Sequence, residues 1–216
     1  MKMHFFIVFA LIAMFEKMVK EGFMKKIILL CLLLTSMNLF AEEREKVPLE
    51  LPADFDVKIC PQPLWHHVKV VWKGVEDARI NKDVGVQTKA KGEDPVYVEA
   101  DPSLKSVLEP ALKQLLTRCG LEFVVNQSGN VLYAQIEHFY ADVKKGFFTG
   151  KGKAESQINF VLVNGDMGMT TYGMSAGIDL KKMKRKDIKQ LEMLLNELLF
   201  QTLEQIPKSD LVKEIK

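Results

Sequence analysis

The side chains in this 216-residue sequence that could do chemistry are first of all potential metal ligands. His66, His67 and His138 carry imidazoles. Cys60 or Glu137 could complete a site, because thiolates and carboxylates also bind zinc. Adjacent residues on a strand point to opposite faces, so only one of His66 and His67 could join such a cluster. The usual ligand spacings, Cys-x-x-Cys and His-x-x-x-His, do not occur, and we predict no metal and no cofactor.

Carboxylates and serines offer a second kind of chemistry, but the sequence assembles no catalytic group from them. Asp54 and Asp56 lie in a proline-rich segment and Asp77 lies in a polar connection, without the apolar surroundings that raise a carboxyl pKa. The chain offers serines, but we predict no Gly-x-Ser-x-Gly elbow, the strand-to-helix turn that exposes a hydrolase nucleophile. The glycine-rich runs 146–152 and 165–177 belong to strands and turns and do not form a phosphate-binding loop. We therefore predict no catalytic residues and a protein that is not an enzyme.

Two charged clusters could instead mediate an interaction. The densest run contains five basic residues before the last predicted helix: Lys181, Lys182, Lys184, Arg185 and Lys186. This run could bind anionic lipid headgroups or an acidic envelope partner, or it could be a solvated turn, as charge runs usually are. The second cluster is Asp77 and Arg79, which are spaced to pair within a turn or strand. We interpret this pair as structural, with an interaction role as the alternative.

The net charge of the chain depends on its first 41 residues. The full chain has 30 basic and 28 acidic residues and a net charge of +2. Five of the basic and two of the acidic residues lie in 1–41, which leaves 25 basic and 26 acidic residues, a net charge of −1. The mature chain therefore lacks the positive charge that general nucleic-acid binding requires.

Residues 24–41 have the order of a secretory signal peptide. Lys25 and Lys26 precede a continuous apolar run at 27–34, and Ala41 stands just before two glutamates. This order predicts export with cleavage after Ala41. The compartment that receives such a protein permits disulfide formation.

Residues 1–23 precede this signal and need a separate explanation. Their apolar run, 5–15, has 11 residues, whereas a helix that spans a bilayer needs about 20. One hypothesis is a misassigned start, with Met24 as the true first residue. The other is an amphipathic extension or a two-part leader. No later apolar run is long enough for a membrane helix, so we expect no membrane span in the mature chain.

The chain has three cysteines, of which Cys31 lies in the leader. Cys60 and Cys119 remain as an even pair in an exported protein, so we predict that they can form a disulfide. The alternative is one buried cysteine at a helix end and one free cysteine in the N-terminal segment.

The first half of the mature chain gives a mixed pattern. Four prolines and many charges predict that residues 42–63 form an extended arm, followed by a single α+β domain at 64–216. Alternation predicts the first strand at 64–73, and shorter extended pieces are predicted at 84–88 and 96–98.

A helix is predicted to begin at Asp101 to Ser103, where a capping side chain and an early proline occur together. Its apolar residues have helical spacing and lie on one face: Leu104, Val107, Leu108, Ala111, Leu112 and Leu115. Pro110 predicts a kink and Gly120 predicts the end of the helix. A strand at 121–125 follows.

The longest alternating segment, 131–143, changes its phase partway along. Its first apolar residues share one face and its later ones would fall on the other: Leu132, Ala134 and Ile136, then Phe139, Ala141 and Val143. A strand that keeps one face buried must absorb this slip, so we predict a bulge or sharp twist near Glu137 and His138.

Two further strands and a second long helix complete the fold prediction. A strand at 154–163 leads into Asn164-Gly165, a strong hairpin signal, so the segment at 167–180 should return antiparallel to it. A wide leucine stripe predicts a helix at 187–206. The predicted fold is α+β: a mixed, mainly antiparallel sheet of about five strands with two helices packed on one face.

The mature chain resembles the YajG-type family of bacterial envelope lipoproteins from roughly Val68 to Ile215. The resemblance rests on the following features, in order: Asp77-x-Arg79 with Gly85 after it, the helix from Ser103 to Gly120, Tyr140-Ala141-Asp142-Val143, Thr171 and Tyr172, and the leucine-rich helix before Ser209-Asp210. It implies a small domain in the envelope of a Gram-negative bacterium. The family has no established activity, so the resemblance supplies no catalytic residues.

The sequence departs from this family at the lipid attachment site. Family members typically carry a lipidated cysteine directly after the signal peptide. Cys31 instead follows Leu29 and Leu30 inside the apolar run. Lipid attachment requires a small residue just before the cysteine. We therefore predict a soluble periplasmic protein, with an outer-membrane lipoprotein as the alternative.

The expected function is that of a non-enzymatic module that binds another envelope component through an exposed sheet edge or face. The alternative is a carrier or sensor of lipid or glycan with a pocket between sheet and helices. The expected partner is thus an envelope protein, lipid or glycan, and the sequence leaves the oligomeric state open. A filled core with an open strand edge would favour the module.

Overall fold

A mixed β-sheet of eight strands, as far as the chain is described, organises the fold. The computed structural model describes residues 44–88, 94–125, 129–145, 150–164, 168–183 and 188–215. The predicted leader, 1–41, lies outside these ranges. The elements are β1 (Arg44–Val47), α1 (Phe55–Ile59), β2 (Val68–Asp77), β3 (Gly85–Thr88), β4 (Val96–Ala100), α2 (Leu104–Arg118), β5 (Leu121–Phe123), β6 (Asn130–Lys145), β7 (Gly150–Asn164), β8 (Gly168–Met183), α3 (Ile188–Leu203), a 3-10 turn (Ile206–Lys208) and α4 (Leu211–Glu214).

The sheet is wider than predicted and contains more parallel pairing. β6, β7 and β8 form the expected antiparallel meander. The other side of β6 pairs parallel with β2 along its first half and with β3 along its second half. β5 lies beyond β2, while β4 and β1 lie beyond β3. The α+β class and the mixed sheet are confirmed, but the prediction of about five strands is wrong, because the described sheet has eight. Four of the seven strand pairings are parallel, although the two longest pairings are antiparallel.

One face of the sheet is buried beneath the two long helices. Residues directly opposite each other on antiparallel strands share a face, and the opposed pairs Leu132–Leu162, Ala134–Phe160 and Ile136–Ile158 are all buried. Helix α3 packs over β6, β7 and β8, and α2 packs against β2 and β5. Both helices contribute to one continuous hydrophobic core.

The bulge predicted in β6 is confirmed. The pairing of β6 with β7 shifts by one residue between Ile136 and His138, which leaves Glu137 without a cross-strand partner. β2 contains a second irregularity, between Trp72 and Val75, that the sequence did not predict. Gly74 occupies it with φ +94°, and a Cβ there would lie 2.9 Å from the Glu109 carboxylate. Only glycine adopts this conformation readily.

Helix α2 begins and ends by clear local interactions. Its N-cap is Ser103, whose hydroxyl accepts a 3.3 Å hydrogen bond from the Ser106 amide, so the capping residue is not Asp101. The helix is continuous past Pro110. It ends before Gly120, as predicted. Gly120 has φ +106°, and a Cβ at this position would overlap the carbonyl oxygen of Trp65.

The N-terminal segment belongs to the fold, in contrast to the predicted arm at 42–63. β1 pairs in parallel with β4, and α1 follows it. Leu49 and Phe55 are buried in the core, and α1 contacts α2. The next strand also differs from its prediction: β2 begins four residues later than the expected 64–73 and extends to Asp77.

Candidate functional site: an uncovered sheet face and edge

The second face of the β6–β7–β8 meander is the largest uncovered feature of the described fold. Alternate residues point to this face, in cross-strand rows set by the strand register. From one end to the other the rows are Tyr133–Val161–Thr171, Gln135–Asn159–Gly173, His138–Gln157–Ser175, Tyr140–Glu155–Gly177 and Asp142–Lys153–Asp179. We call this set of residues the outer face. Most of its side chains are exposed or half-buried, and Val161 alone among them is buried.

Lys153 and Glu155 form an ion pair on the outer face, which also carries the carboxylates of Asp142 and Asp179. The Lys153 ammonium lies 2.7 Å from the Glu155 carboxylate. This hydrogen bond, more than any other interaction, lowers the pKa of Glu155 and raises the pKa of Lys153. Burial, followed by the charge of Asp142, raises the pKa of Tyr140, which therefore keeps its phenol proton at neutral pH. The outer face thus presents hydroxyl, amide and paired charged groups.

The letters Gly173-Met174-Ser175-Ala176-Gly177 match the Gly-x-Ser-x-Gly pattern of hydrolase nucleophiles. In those enzymes the serine occupies a sharp turn from strand to helix, whereas these five residues lie inside β8. His138 is two strands away from Ser175, about 9–10 Å at a strand spacing of ~4.8 Å, with Gln157 between them. This segment therefore lacks the geometry of an activated serine.

The residues considered as potential metal ligands are not brought together. Cys60 is joined to Cys119. His67 is exposed, and its Nδ1 lies 2.6 Å from the Glu122 carboxylate. His138 lies beside Tyr140, with ring centroids 6.4 Å apart. No group of three or more potential ligands forms a cluster within the described ranges.

Asp77 and Arg79 form a buried structural link between three segments. The Arg79 guanidinium donates two 2.9 Å hydrogen bonds to the Asp77 carboxylate. It also donates to the carbonyl oxygens of Asp83 and Phe139, each at 3.2 Å. Only 9% of Arg79 is exposed, so its donors are directed into the protein. This arrangement fits the structural interpretation of the pair.

The environment of Asp77 keeps its carboxyl group ionised. Burial, the largest single effect, raises its pKa, but hydrogen bonds and charge from Arg79 together with Lys82 more than offset it. The net result is a lowered pKa. An acid–base catalyst at neutral pH needs a raised carboxyl pKa. The Asp77 carboxylate is therefore suited to an ion pair with Arg79 and not to acid–base catalysis at neutral pH.

The predicted basic patch is only partly described. Lys181 is exposed at the end of β8, and the backbone of Lys182 continues that strand. Lys184, Arg185 and Lys186 lie outside the described residues. The interaction role of this run stays a prediction.

Cys60 and Cys119 are adjacent and joined in the structure, with Cα atoms 5.6 Å apart. This separation lies within the usual range for disulfides. Both residues are at most 1% exposed. The amides of Leu64 and Trp65 donate to the Cys119 carbonyl, at 2.8 and 2.9 Å. The bond therefore ties the N-terminal segment to the end of α2, and its oxidation state in the cell stays a prediction.

The region between α3 and the sheet, where a carrier would need its pocket, is occupied by leucines. Six of them on α3 are at most 3% exposed: Leu191, Leu194, Leu195, Leu198, Leu199 and Leu203. Three open grooves of about 500, 540 and 630 Å³ are formed by surface segments instead. The largest of these three lies between the outer side of α3 and residues that precede α1, and Met193 and Phe200 line it. No described helix is long and apolar enough to cross a membrane.

The outer face was not named from the sequence, although its signal was present. The alternation of the three long strands was used to identify the buried positions. The intervening positions, among them Gln157 and Ser175, are by the same rule the opposite face. What the sequence could not show is that most of them stay exposed or half-buried in the described fold.

Taken together, the elements define an α+β domain in which helices cover one face of a mixed sheet. Residues 68–212 match the family Lipoprotein_16, described as uncharacterized lipoprotein. The chain belongs to this family, and the resemblance to YajG-type lipoproteins is confirmed. A lipoprotein family suggests an envelope location. The description of the family names no enzymatic activity.

Solved structures add a likeness of fold. Protein XCC0632 from Xanthomonas campestris, of the family DUF330, is 13% identical with a TM-score of 0.50, over 76% of this chain and 92% of its own. A neuraminyllactose-binding hemagglutinin homolog from Helicobacter pylori is 14% identical with a TM-score of 0.38, over 68% of this chain and 84% of its own. At these identities the first likeness concerns the fold alone, and the second carries no argument. No curated protein matches the chain.

Proposed function

We propose that the protein is a non-enzymatic binding module of the periplasm, which docks another envelope protein on its outer face. The observation that carries this proposal is the contrast between the two faces of the meander. One face is covered by α3, whereas on the other every residue of the outer face except Val161 is exposed or half-buried. Binding residues commonly lie on a rigid scaffold whose other side forms the core.

The outer face has the composition of a protein interface. Its five rows cover about 9–10 residues of three strands, or roughly 450 Å² at ~4.8 Å between strands and ~3.3 Å per residue. A standard interface buries about 800 Å² on each partner, so a docked protein would also contact the surface beside these rows. Tyr133 and Tyr140 supply the aromatic contacts that interfaces favour, and amide and hydroxyl groups surround them.

The alternative, a carrier of lipid or glycan between helices and sheet, is less well supported. Its pocket would have to form where the α3 leucines now pack against the sheet. Opening that space would expose several large apolar side chains, each worth about 1.5–3 kcal/mol when buried. A docked partner requires no such change.

Site-specific photo-crosslinking in living cells tests the proposal. A photoreactive side chain at His138, at the centre of the outer face, is expected to capture a distinct envelope protein. The matched control replaces Lys105, which is exposed on α2. Capture from Lys105 but not from His138 would place the partner elsewhere. Co-purified lipid without a protein adduct would favour the carrier.

A further inference from the structure

Strand β8 presents an open edge that differs from the other edges of the sheet. It has 16 residues and pairs with β7 alone among the described strands. The strands at the opposite side of the sheet, β1 and β5, have four and three residues. β1 also carries charged side chains, including Glu45 and Lys46. Short, charged edges resist further pairing, whereas a long uncharged edge is a template for another strand.

The composition of β8 suits an added strand. From Gly168 to Ile178 it contains no charged residue and no proline. On its buried side Tyr172 and Ile178 are half-buried at the border of the core, and Leu180 is 39% exposed. A further strand with apolar residues at alternate positions would cover them.

We infer that this strand is β8 of a second copy of the chain, paired antiparallel about Ser175. In this register the whole segment from Gly168 to Lys182 finds a partner. The opposed residues are Ser175 with Ser175 of the second copy, Met174 with Ala176, Gly173 with Gly177, Tyr172 with Ile178, Thr171 with Asp179, Thr170 with Leu180 and Met169 with Lys181.

The side chains of β8 are complementary to themselves in this arrangement. Residues with the same parity oppose each other, so the apolar face of one copy continues into that of the other. Tyr172 of each copy lies opposite Ile178 of the other, so this pair occurs once on each side of the two-fold axis. Pairs of an aromatic and a β-branched residue stabilise sheets. The charges of Asp179 and Lys181 meet Thr171 and Met169, and like charges never oppose each other.

The helices leave room for the pairing. Helix α3 lies over β6, β7 and β8 on the buried side. The two β7 strands of the dimer would be three strand spacings apart, about 14 Å. A helix with its side chains is about 10–12 Å wide, so the two α3 helices fit side by side above the seam. The outer faces of both copies remain free for the partner proposed above, and the two proposals stand independently.

Charge substitution at Ser175 tests the inference, because this residue meets its own copy at the two-fold axis. It is exposed, so Ser175→Lys and Ser175→Glu should fold normally. The oligomeric state of the purified protein, as its host processes it, is measured by sedimentation. Wild type is expected to dimerise, and each variant alone to dissociate with a dissociation constant raised about 5-fold or more. An equal mixture of the two variants should restore the dimer.

The matched control is Gln157→Lys, which places the same charge one strand further in on the same face. It should dimerise like wild type. A monomeric wild-type protein would overturn the inference, as would a dimer that both Ser175 variants retain unchanged. Thermal unfolding of each variant verifies that the fold is intact. Crosslinks from His138 to another protein would not depend on either result.

Discussion

Ile136 and Phe139 lie on the same buried face of β6, although three positions separate them. In a regular strand, residues three apart point to opposite faces. Ile136 and His138 pair with consecutive residues of β7, which leaves Glu137 unpaired. The extra residue restores the alternation, so both halves of β6 bury their apolar side chains.

Deletion of Glu137 is expected to leave the domain folded. In the shortened strand Ile136 and His138 are neighbours, so Phe139, Ala141 and Val143 keep their partners on β7 and their buried face. The loss is that of the local bend and twist of the bulge, and the free energy of unfolding should fall by no more than about 3 kcal/mol. Urea unfolding measures it. The substitution Glu137→Gln keeps the backbone and should change stability by less than ~0.5 kcal/mol. A deletion variant that does not fold would contradict this interpretation of the bulge.

The local parts of this fold could be predicted from the sequence. The phase slip near Glu137, the hairpin at Asn164 and the end of α2 at Gly120 each follow from residues that are close together in the chain. The hairpin turn itself, 165–167, lies outside the described residues. The pairing of Asn164 with Gly168 confirms the antiparallel return, but it encloses three residues, whereas a two-residue Asn-Gly turn would pair Val163 with Asp166.

The non-local parts could not be predicted, for physical reasons. Parallel pairs such as β2 with β6 join segments about 60 residues apart, and no turn signal marks them. β1 has only four residues, which is too few to show the alternation of apolar and polar residues typical of a strand. The sequence of its segment therefore predicts an arm. The contact of Arg79 with the Phe139 carbonyl depends on the bulge geometry and leaves no pattern in the sequence.

Arg79→Lys is expected to destabilise the protein by about 2–4 kcal/mol. A lysine keeps the charge, but a single ammonium group cannot replace the forked guanidinium that reaches Asp77 and two backbone carbonyls at once. Chemical denaturation gives the free energy of unfolding.

The control for this substitution is Lys82→Gln, at the exposed partner of the same carboxylate. Exposed ion pairs contribute about 0–1 kcal/mol, so this change should be small. Equal effects of the two substitutions would refute a special role for the buried guanidinium.

The lowered pKa of Asp77 predicts a specific loss of stability in acid. A carboxyl group whose pKa is lower in the folded than in the unfolded state stabilises the fold above its unfolded pKa, near 4. This contribution is lost as the pH falls through the folded pKa. Asp77→Asn should therefore be less stable than wild type at neutral pH, and the difference should narrow as the solution is acidified. A difference in unfolding free energy between the two proteins that stays constant from pH 7 to about pH 2 would contradict the assigned ion pair.

Reduction of the Cys60–Cys119 bond is expected to lower stability by up to about 4 kcal/mol, because the bond closes a loop with a sequence separation of 59. Unfolding of the processed protein with and without dithiothreitol measures the effect. The double variant Cys60→Ala, Cys119→Ala should already be destabilised and should not respond to the reductant. Thiol titration of denatured, non-reduced protein gives an independent result. Two reactive thiols per mature chain would show that the bond does not form in the cell.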